Sequence, residues 1–88
     1  MQTKEIRIYA ANGLHMRVAA RIVKELKNSQ SKVYFYKDGQ SADASSILEM
    51  LVLAASEKDV LMVTASGEDE HKTIDKVAEI LTDGSRIS

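Results

Sequence analysis

One short stretch of this 88-residue chain holds residues that could do chemistry together: Asn12-Gly13-Leu14-His15-Met16-Arg17-Val18-Ala19-Ala20. Gly13 allows a turn that a residue with a Cβ would resist. Beyond it, Val18, Ala19, Ile22, Val23 and Leu26 recur at helical spacing, with Arg17, Arg21, Lys24, Glu25 and Lys27 facing away. Residues 16 to 28 therefore read as an amphipathic helix with His15 at its start. Free backbone N–H groups at such a terminus, and the positive end of the helix dipole, favour anions. The same field disfavours imidazolium, so His15 is expected to stay neutral and nucleophilic near pH 7. A neutral imidazole beside an anion cradle could accept a phosphoryl group and hold the resulting dianion. Arg17 sharpens this, because a cation in the first helical turn opposes the dipole by roughly 0.3–1 kcal/mol when exposed. Stability gives no reason for it there, whereas a guanidinium pairs well with phosphoryl oxygens. The alternative is a solvated histidine–arginine pair with no function.

Other residues carry weaker signals. Ser46-Ile47-Leu48-Glu49 matches a capping box, serine followed three residues later by glutamate, and opens a second helix reaching about Ala54. Periodicity places Leu48, Leu51 and Val52 in the core, although some of Ile47, Leu48 and Leu51 on so short a helix could be exposed. His71 reads as solvated. Asp69 and Glu70 beside it could form at most a weak cation site, and no metal centre or cofactor is implied.

The elements that must position these groups follow from the pattern. Gln2 to Tyr9 alternates, with Ile6 and Ile8 on one side, and Ala10-Ala11-Asn12-Gly13 breaks it. Val33-Tyr34-Phe35-Tyr36, the Asp38-Gly39 turn and Gln40 to Asp43 predict a hairpin. Val60 to Ala65 is continuously apolar, as a central strand would be. After Gly67, Glu68-Asp69-Glu70 favours a helix N-terminus. Ile74, Val77, Ala78 and Leu81 then repeat until Gly84 is expected to stop the helix, leaving Ser85 to Ser88 frayed. One α+β domain over residues 1–88 results, a two-layer sandwich with the helices on one face of the sheet. A small parallel sheet is the weaker alternative, because the hairpin forces an antiparallel pair.

Composition narrows the function classes. With no cysteine, disulfides, thiolate nucleophiles and cysteine zinc sites are excluded. Twelve basic and 13 acidic residues give a net charge of -1, with no basic excess for nucleic acid. The longest apolar run, Met50 to Ala55, is far short of the roughly 18 residues a membrane span needs. Met1-Gln2-Thr3-Lys4-Glu5 lacks the apolar core of a secretory signal, so a cytoplasmic domain is expected.

Gly13-Leu14-His15-Met16-Arg17-Val18-Ala19-Ala20 resembles the active-site motif of the HPr family, the histidine-containing phosphocarriers of the bacterial sugar phosphotransferase system, whose usual form is Gly-Leu-His-x-Arg-Pro-Ala. Ser46-Ile47 opening a short apolar helix looks like that family's regulatory segment. Val63-Thr64-Ala65-Ser66-Gly67-Glu68-Asp69-Glu70 is similar to its last strand and final turn. The resemblance implies an open-faced β-sandwich, βαββαβα, with a four-stranded antiparallel sheet in the order 1-4-2-3 and three helices on one face. It further implies that His15 takes a phosphoryl group from enzyme I, which draws it from phosphoenolpyruvate, and passes it to IIA components of sugar permeases. Arg17 would pair with the phosphoryl oxygens, and the backbone amides around Met16, Arg17 and Val18 would complete the site. Such a protein is a stoichiometric carrier rather than an enzyme.

In the family the first two helices form the docking surface. Ile47, Leu48 and Leu51 would then be its apolar part, and Arg21, Lys24 and Lys27 a basic rim steering acidic partners; a solvated charged face is the simpler account of those three. In some members the serine matching Ser46 is phosphorylated by a dedicated kinase, which would bring a kinase/phosphorylase and a transcription regulator among the partners. A regulatory protein acting through Ser46 and a passive binding module of the same fold are the competing functions. Nothing in the sequence demands more than a monomer. One departure stands out. Val18 occupies the place of the family proline, restoring one N–H at the anion site, so transfer is expected to survive with an altered rate or partner preference.

Overall fold

Alternation in the strands decides which face of the sheet is covered. The structure, a computed structural model, describes residues 1–10 and 12–87, the last five as backbone alone. In chain order the elements are β1 (Gln2–Arg7), α1 (Met16–Leu26), β2 (Lys32–Lys37), β3 (Gln40–Asp43), α2 (Ile47–Leu53), β4 (Val60–Ser66) and α3 (Glu70–Ile87). The strands form one antiparallel sheet in the order β1-β4-β2-β3, which excludes the parallel alternative. The register sets Ile6 opposite Leu61, Val33 opposite Ala65, and Phe35 between Val63 and Ala42. All eight of Ile6, Ile8, Val33, Phe35, Ala42, Leu61, Val63 and Ala65 are buried, and they form the face that the helices cover.

From above that face come Val18, Ala19, Ile22 and Leu26 of α1, Met50 and Leu53 of α2, and Ile74, Val77, Ile80 and Leu81 of α3. Removing each large aliphatic side chain from water contributes roughly 1.5–3 kcal/mol, so this shared layer fixes how the helices sit on the sheet. The β2–β3 connection is the tight turn that Asp38-Gly39 predicts, with both residues left-handed at φ 51° and 79°.

Several expectations need correcting. β4 is central in the sheet, yet Val60 and Met62 are exposed and only Leu61, Val63 and Ala65 are buried. Helices cover one face only, so a central strand here is flanked on both edges but roofed once. β1 ends at Arg7 rather than Tyr9. The break predicted at Ala10-Ala11-Asn12-Gly13 includes Ala11, which lies outside the described residues. α3 does not stop at Gly84 but continues to Ile87, while Ser88 lies outside the described residues. A glycine within a helix costs about 1 kcal/mol relative to alanine, which is too little to end it when no proline follows.

The largest correction concerns α2. Leu48 and Val52 are not in the core; they are 72% and 71% exposed, and Leu51 is half-buried. The inward stripe is instead Met50 and Leu53, with Ile47 packed against the core. In Ile47-Leu48-Glu49-Met50-Leu51-Val52-Leu53 six of seven residues are apolar, so helical spacing fits either stripe and cannot choose the phase.

Candidate functional site

The site begins with a turn held from two sides. Asn12 and Gly13 both take left-handed backbone conformations, at φ 66° and 72°. The Gly13 N–H donates to the Ala10 carbonyl at 3.0 Å, and the Leu14 N–H donates to the Ala55 carbonyl at 2.9 Å. A Cβ on Gly13 would lie 2.5 Å from the Ala55 oxygen and 2.7 Å from the Ser56 Cα, so only glycine lets this turn rest on the α2–β4 connection. Leu14 is buried and anchors the segment in the core.

His15 then leaves the turn in an extended conformation, φ -96° and ψ 179°, and is the N-cap of α1. Its Nδ1 accepts the Arg17 N–H at 3.2 Å. A nitrogen that accepts a hydrogen bond carries a lone pair and no proton, so the neutral ring holds its proton on Nε2. The first intrahelical bond runs from the Ala19 N–H to the His15 carbonyl at 2.9 Å. The amides of Met16, Arg17 and Val18 therefore precede the helical ladder and have no carbonyl four residues back within it. No acidic residue lies in this first turn. Among the described residues no carboxylate lies within ion-pairing distance of the exposed Arg17 guanidinium. A half-buried nucleophilic nitrogen, backbone donors, the positive end of a helix and a free cation thus converge on one spot, which can bind and hold a phosphoryl group.

Val18 contributes only its backbone here, because its side chain is buried in the core. Arg21 and Lys24 are turned toward α3, where with Glu25, Asn28, Lys76, Glu79 and Ile80 they line a groove between the two helices. Lys27 is exposed at the end of α1. The apolar surface missed by sequence reasoning is Met16, 63% exposed at the mouth of the site, and Val52 on α2, which lie exposed along with the expected Leu48. The cap of Ser46 is as expected, with its Oγ accepting the Glu49 N–H at 3.2 Å. The return half of the box differs: the Glu49 carboxylate accepts the Asp43 N–H at 2.9 Å instead of reaching the Ser46 amide. The Ser46 N–H is already committed to the Asp43 carbonyl at 3.0 Å.

At the start of α3 the carboxylates are structural. Asp69 accepts from the Ser31 hydroxyl, the Gln30 N–H at 3.1 Å and the Ser29 hydroxyl at 3.2 Å, tying the α1–β2 loop to α3. These donors, the Ser31 hydroxyl foremost, pull its carboxyl from the ordinary 3.8 to about 2. Glu70 accepts the Gly67 N–H at 3.1 Å and pairs with the terminal amine of Met1 at 3.0 Å; that backbone bond, then the amine, lowers its pKa. Among the described residues no group of His, Asp and Glu side chains is arranged to hold a metal ion, and no helix is long and apolar enough to cross a membrane. His71 is exposed.

Comparison with known proteins agrees with this geometry. The family model described as the PTS HPr component phosphorylation site matches residues 2–83. The phosphocarrier protein HPr of Buchnera aphidicola subsp. Schizaphis graminum is 39% identical over 83 residues, 94% of this chain and 98% of that one. HPr of Haemophilus influenzae is 36% identical over 81 residues, covering 92% and 95%. Among solved structures, HPr-C-His from Thermoanaerobacter tengcongensis superposes with a TM-score of 0.90 at 28% identity, covering 98% of this chain and 97% of that one. The Bacillus subtilis catabolite repression protein Crh, described as a swapped dimer, superposes with a TM-score of 0.76 at 31% identity, covering 96% and 97%. With the sheet order, the His15 turn and these matches in agreement, the chain belongs to the HPr family of phosphotransferase-system phosphocarriers.

Proposed function

We propose that this protein relays a phosphoryl group on Nδ1 of His15, taking it from enzyme I and giving it to IIA components of sugar permeases. The observation that carries this is the Nδ1 lone pair lying at the open amide end of α1, 3.2 Å from the Arg17 N–H. In the transfer that lone pair attacks phosphorus and forms the N–P bond, while the bond between phosphorus and the donor breaks and the donor leaves with its electron pair. The Arg17 amide then exchanges its bond to nitrogen for one to a phosphoryl oxygen. The Met16 and Val18 amides and the Arg17 guanidinium supply further donors, in a field already favourable to negative charge. The second transfer is the reverse chemistry toward a new acceptor, so the protein is consumed and regenerated rather than turning over. Met16, Leu48, Val52 and the half-buried Ile47 and Leu51 form the apolar part of the docking surface, with Arg21, Lys24 and Lys27 steering acidic partners.

Incubation with phosphoenolpyruvate and a matching enzyme I tests this reading. An acid-labile phosphate is expected, and His15→Ala is expected to abolish it. Acid-labile label that persists in His15→Ala would overturn the assignment. Replacing Val18 with proline should change the rate of labelling without abolishing it.

A second reading, regulation through Ser46, is favoured by one observation. The Ser46 hydroxyl is partly accessible at a helix N-terminus, where a phosphate is electrostatically tolerated. The resemblance to Crh, titled a catabolite repression protein, points the same way, and a kinase/phosphorylase and a transcription regulator would be the partners of such regulation. Acid-stable label that requires ATP and a kinase, and that vanishes in Ser46→Ala, is its expected sign.

A further inference from the structure

The His15 turn is not held by α1 alone. Among the described residues its one long-range backbone bond runs from the Leu14 N–H to the Ala55 carbonyl, and Gly13 lies against the backbone of 55–57 with no room for a Cβ. Whatever fixes residues 55–57 therefore fixes the residue immediately before His15. That connection is short and strained, with Ala54 and Lys58 both left-handed at φ 56° and 75°. Between them the turn Ser56–Asp59 is closed twice at one end of the chain reversal. The Asp59 carboxylate accepts the Ser56 N–H at 2.7 Å, and the Asp59 N–H donates to the Ser56 carbonyl at 3.0 Å. The far side of the turn is stitched to the chain just after β1. The Lys58 N–H donates to the Ile8 carbonyl at 2.7 Å, the Ile8 N–H donates to the Asp59 carbonyl at 2.9 Å, and the Arg7 guanidinium donates to the Lys58 carbonyl at 2.9 Å.

We infer that Asp59 is a positioning residue for phosphoryl transfer: by closing the 56–59 turn it holds the Ala55 carbonyl where the Leu14 amide needs it, and so aims the His15 ring at the open end of α1. Its carboxylate touches neither His15 nor the phosphoryl group. The part of Asp59 that acts is the short acceptor arm, not the charge. Its ion pair with Lys37, at 3.6 Å, is secondary, since that ammonium also pairs with Asp38 at 3.2 Å.

This inference rests on the phosphocarrier reading above, and the test separates the two. Asp59→Asn keeps an oxygen that can accept the Ser56 N–H but loses the charge. Asp59→Ala removes the acceptor and the charge together and leaves the four-residue turn closed by its backbone bond alone. Lys37→Met removes the ion pair and leaves the turn intact. With enzyme I as donor, Asp59→Asn and Lys37→Met are expected to label His15 within about twofold of the wild-type rate. Asp59→Ala should be slower by about tenfold in kcat, with the KM of enzyme I for the carrier unchanged, because a misplacement of an ångström can cost up to about a hundredfold. Hydrogen exchange supplies the readout that does not depend on phosphate. The Leu14 amide should stay protected in Asp59→Asn and lose protection in Asp59→Ala, with core amides such as Phe35 protected in both. Wild-type rates and protection in Asp59→Ala, or a loss in Asp59→Asn equal to that in Asp59→Ala, would overturn the inference. If the wild-type protein itself took no phosphate on His15, the relay would fall while the exchange pattern would still decide what Asp59 positions.

Discussion

The first and second helices begin alike and differ in what they leave over. Each starts from an extended residue whose side chain accepts a first-turn amide at 3.2 Å, His15 Nδ1 from Arg17 in α1 and Ser46 Oγ from Glu49 in α2. Beyond that bond they diverge. α2 carries Glu49 in its first turn, and the negative charge balances the helix end. α1 carries no acid there and adds a cation, Arg17, so its positive end is unbalanced. Hydroxyl and imidazole also differ in kind: the serine oxygen is a cap only, whereas the histidine nitrogen that caps α1 is also the proposed nucleophile. The α2 terminus keeps its cap bond, whereas the proposed transfer has α1 exchange its cap bond for a visiting anion. The difference teaches that an N-cap becomes a reactive site when its acceptor atom is nucleophilic and its surroundings want negative charge.

The sharpest way to break this contrast is to remove the excess charge at α1. Arg17→Ala deletes donors to a doubly charged group, and bonds to charged groups contribute about 1.5–3 kcal/mol. Labelling of His15 should slow by roughly 10- to 150-fold, while thermal unfolding stays within about 0.5 kcal/mol, as for an exposed surface position. A rate unchanged by this substitution would show that the backbone amides alone hold the phosphoryl group.

The matching change at α2 should have the opposite profile. Ser46→Ala loses a permanent cap, costing about 1 kcal/mol, which for a domain of this size lowers Tm by about 4–8 °C. The rate at which enzyme I labels His15 should not change. Stability lost at α2 and transfer lost at α1 would confirm that the two caps divide structure from chemistry.

The sequence showed the candidate site at the start of α1 more clearly than its supports. The Gly13, His15 and Arg17 spacing and the hydrophobic period of α1 are local signals, and local signals survive folding unchanged. The order of the elements and the Asp38-Gly39 hairpin were legible for the same reason. The phase of α2 was not, since an almost wholly apolar seven-residue helix offers its period no polar face to register against. Exposure of Val60 and Met62 depended on which face the helices cover, a property of the whole sheet. The Ala55 carbonyl under Leu14 and the Asp59 acceptor under Ser56 are partners about 40 residues distant from His15 and carry no pattern of their own; only the positive-φ positions Ala54 and Lys58 mark that connection, and neither is a glycine that would announce it.

α3 extends the comparison to acid pH. The folded pKa of Asp69 is lowered, from 3.8 to about 2, chiefly by the Ser31 hydroxyl. A depressed carboxylate contributes stability that is fully present above its ordinary value and disappears as protons bind the folded form. Its contribution should therefore hold down to about pH 4 and fade between pH 4 and pH 2. Asp69→Asn should lower stability at neutral pH and flatten that acid limb in urea unfolding. An acid limb identical to the wild type would assign the acid dependence to other carboxylates, such as Asp43 and Glu70, whose pKa values are also lowered.

The smallest expected effect is the most telling, because it transplants α2's arrangement into α1. Met16 is exposed and occupies the first helical position beside the reactive ring. Met16→Glu would place there the acid that α1 lacks, and an acid at that position contributes about 0.3–1 kcal/mol through the dipole. The helix end is satisfied by that charge, so the folded protein should gain stability of that size. The same charge competes with the phosphoryl group for the amides and for Arg17, so labelling of His15 should slow by about two- to fivefold, the equivalent of the energy gained. Stability and transfer would then move in opposite directions from one substitution. If transfer fell with no gain in stability, Met16 would be acting through the docking surface alone and not through the field; with transfer unchanged, the unbalanced helix end would have no part in holding phosphate.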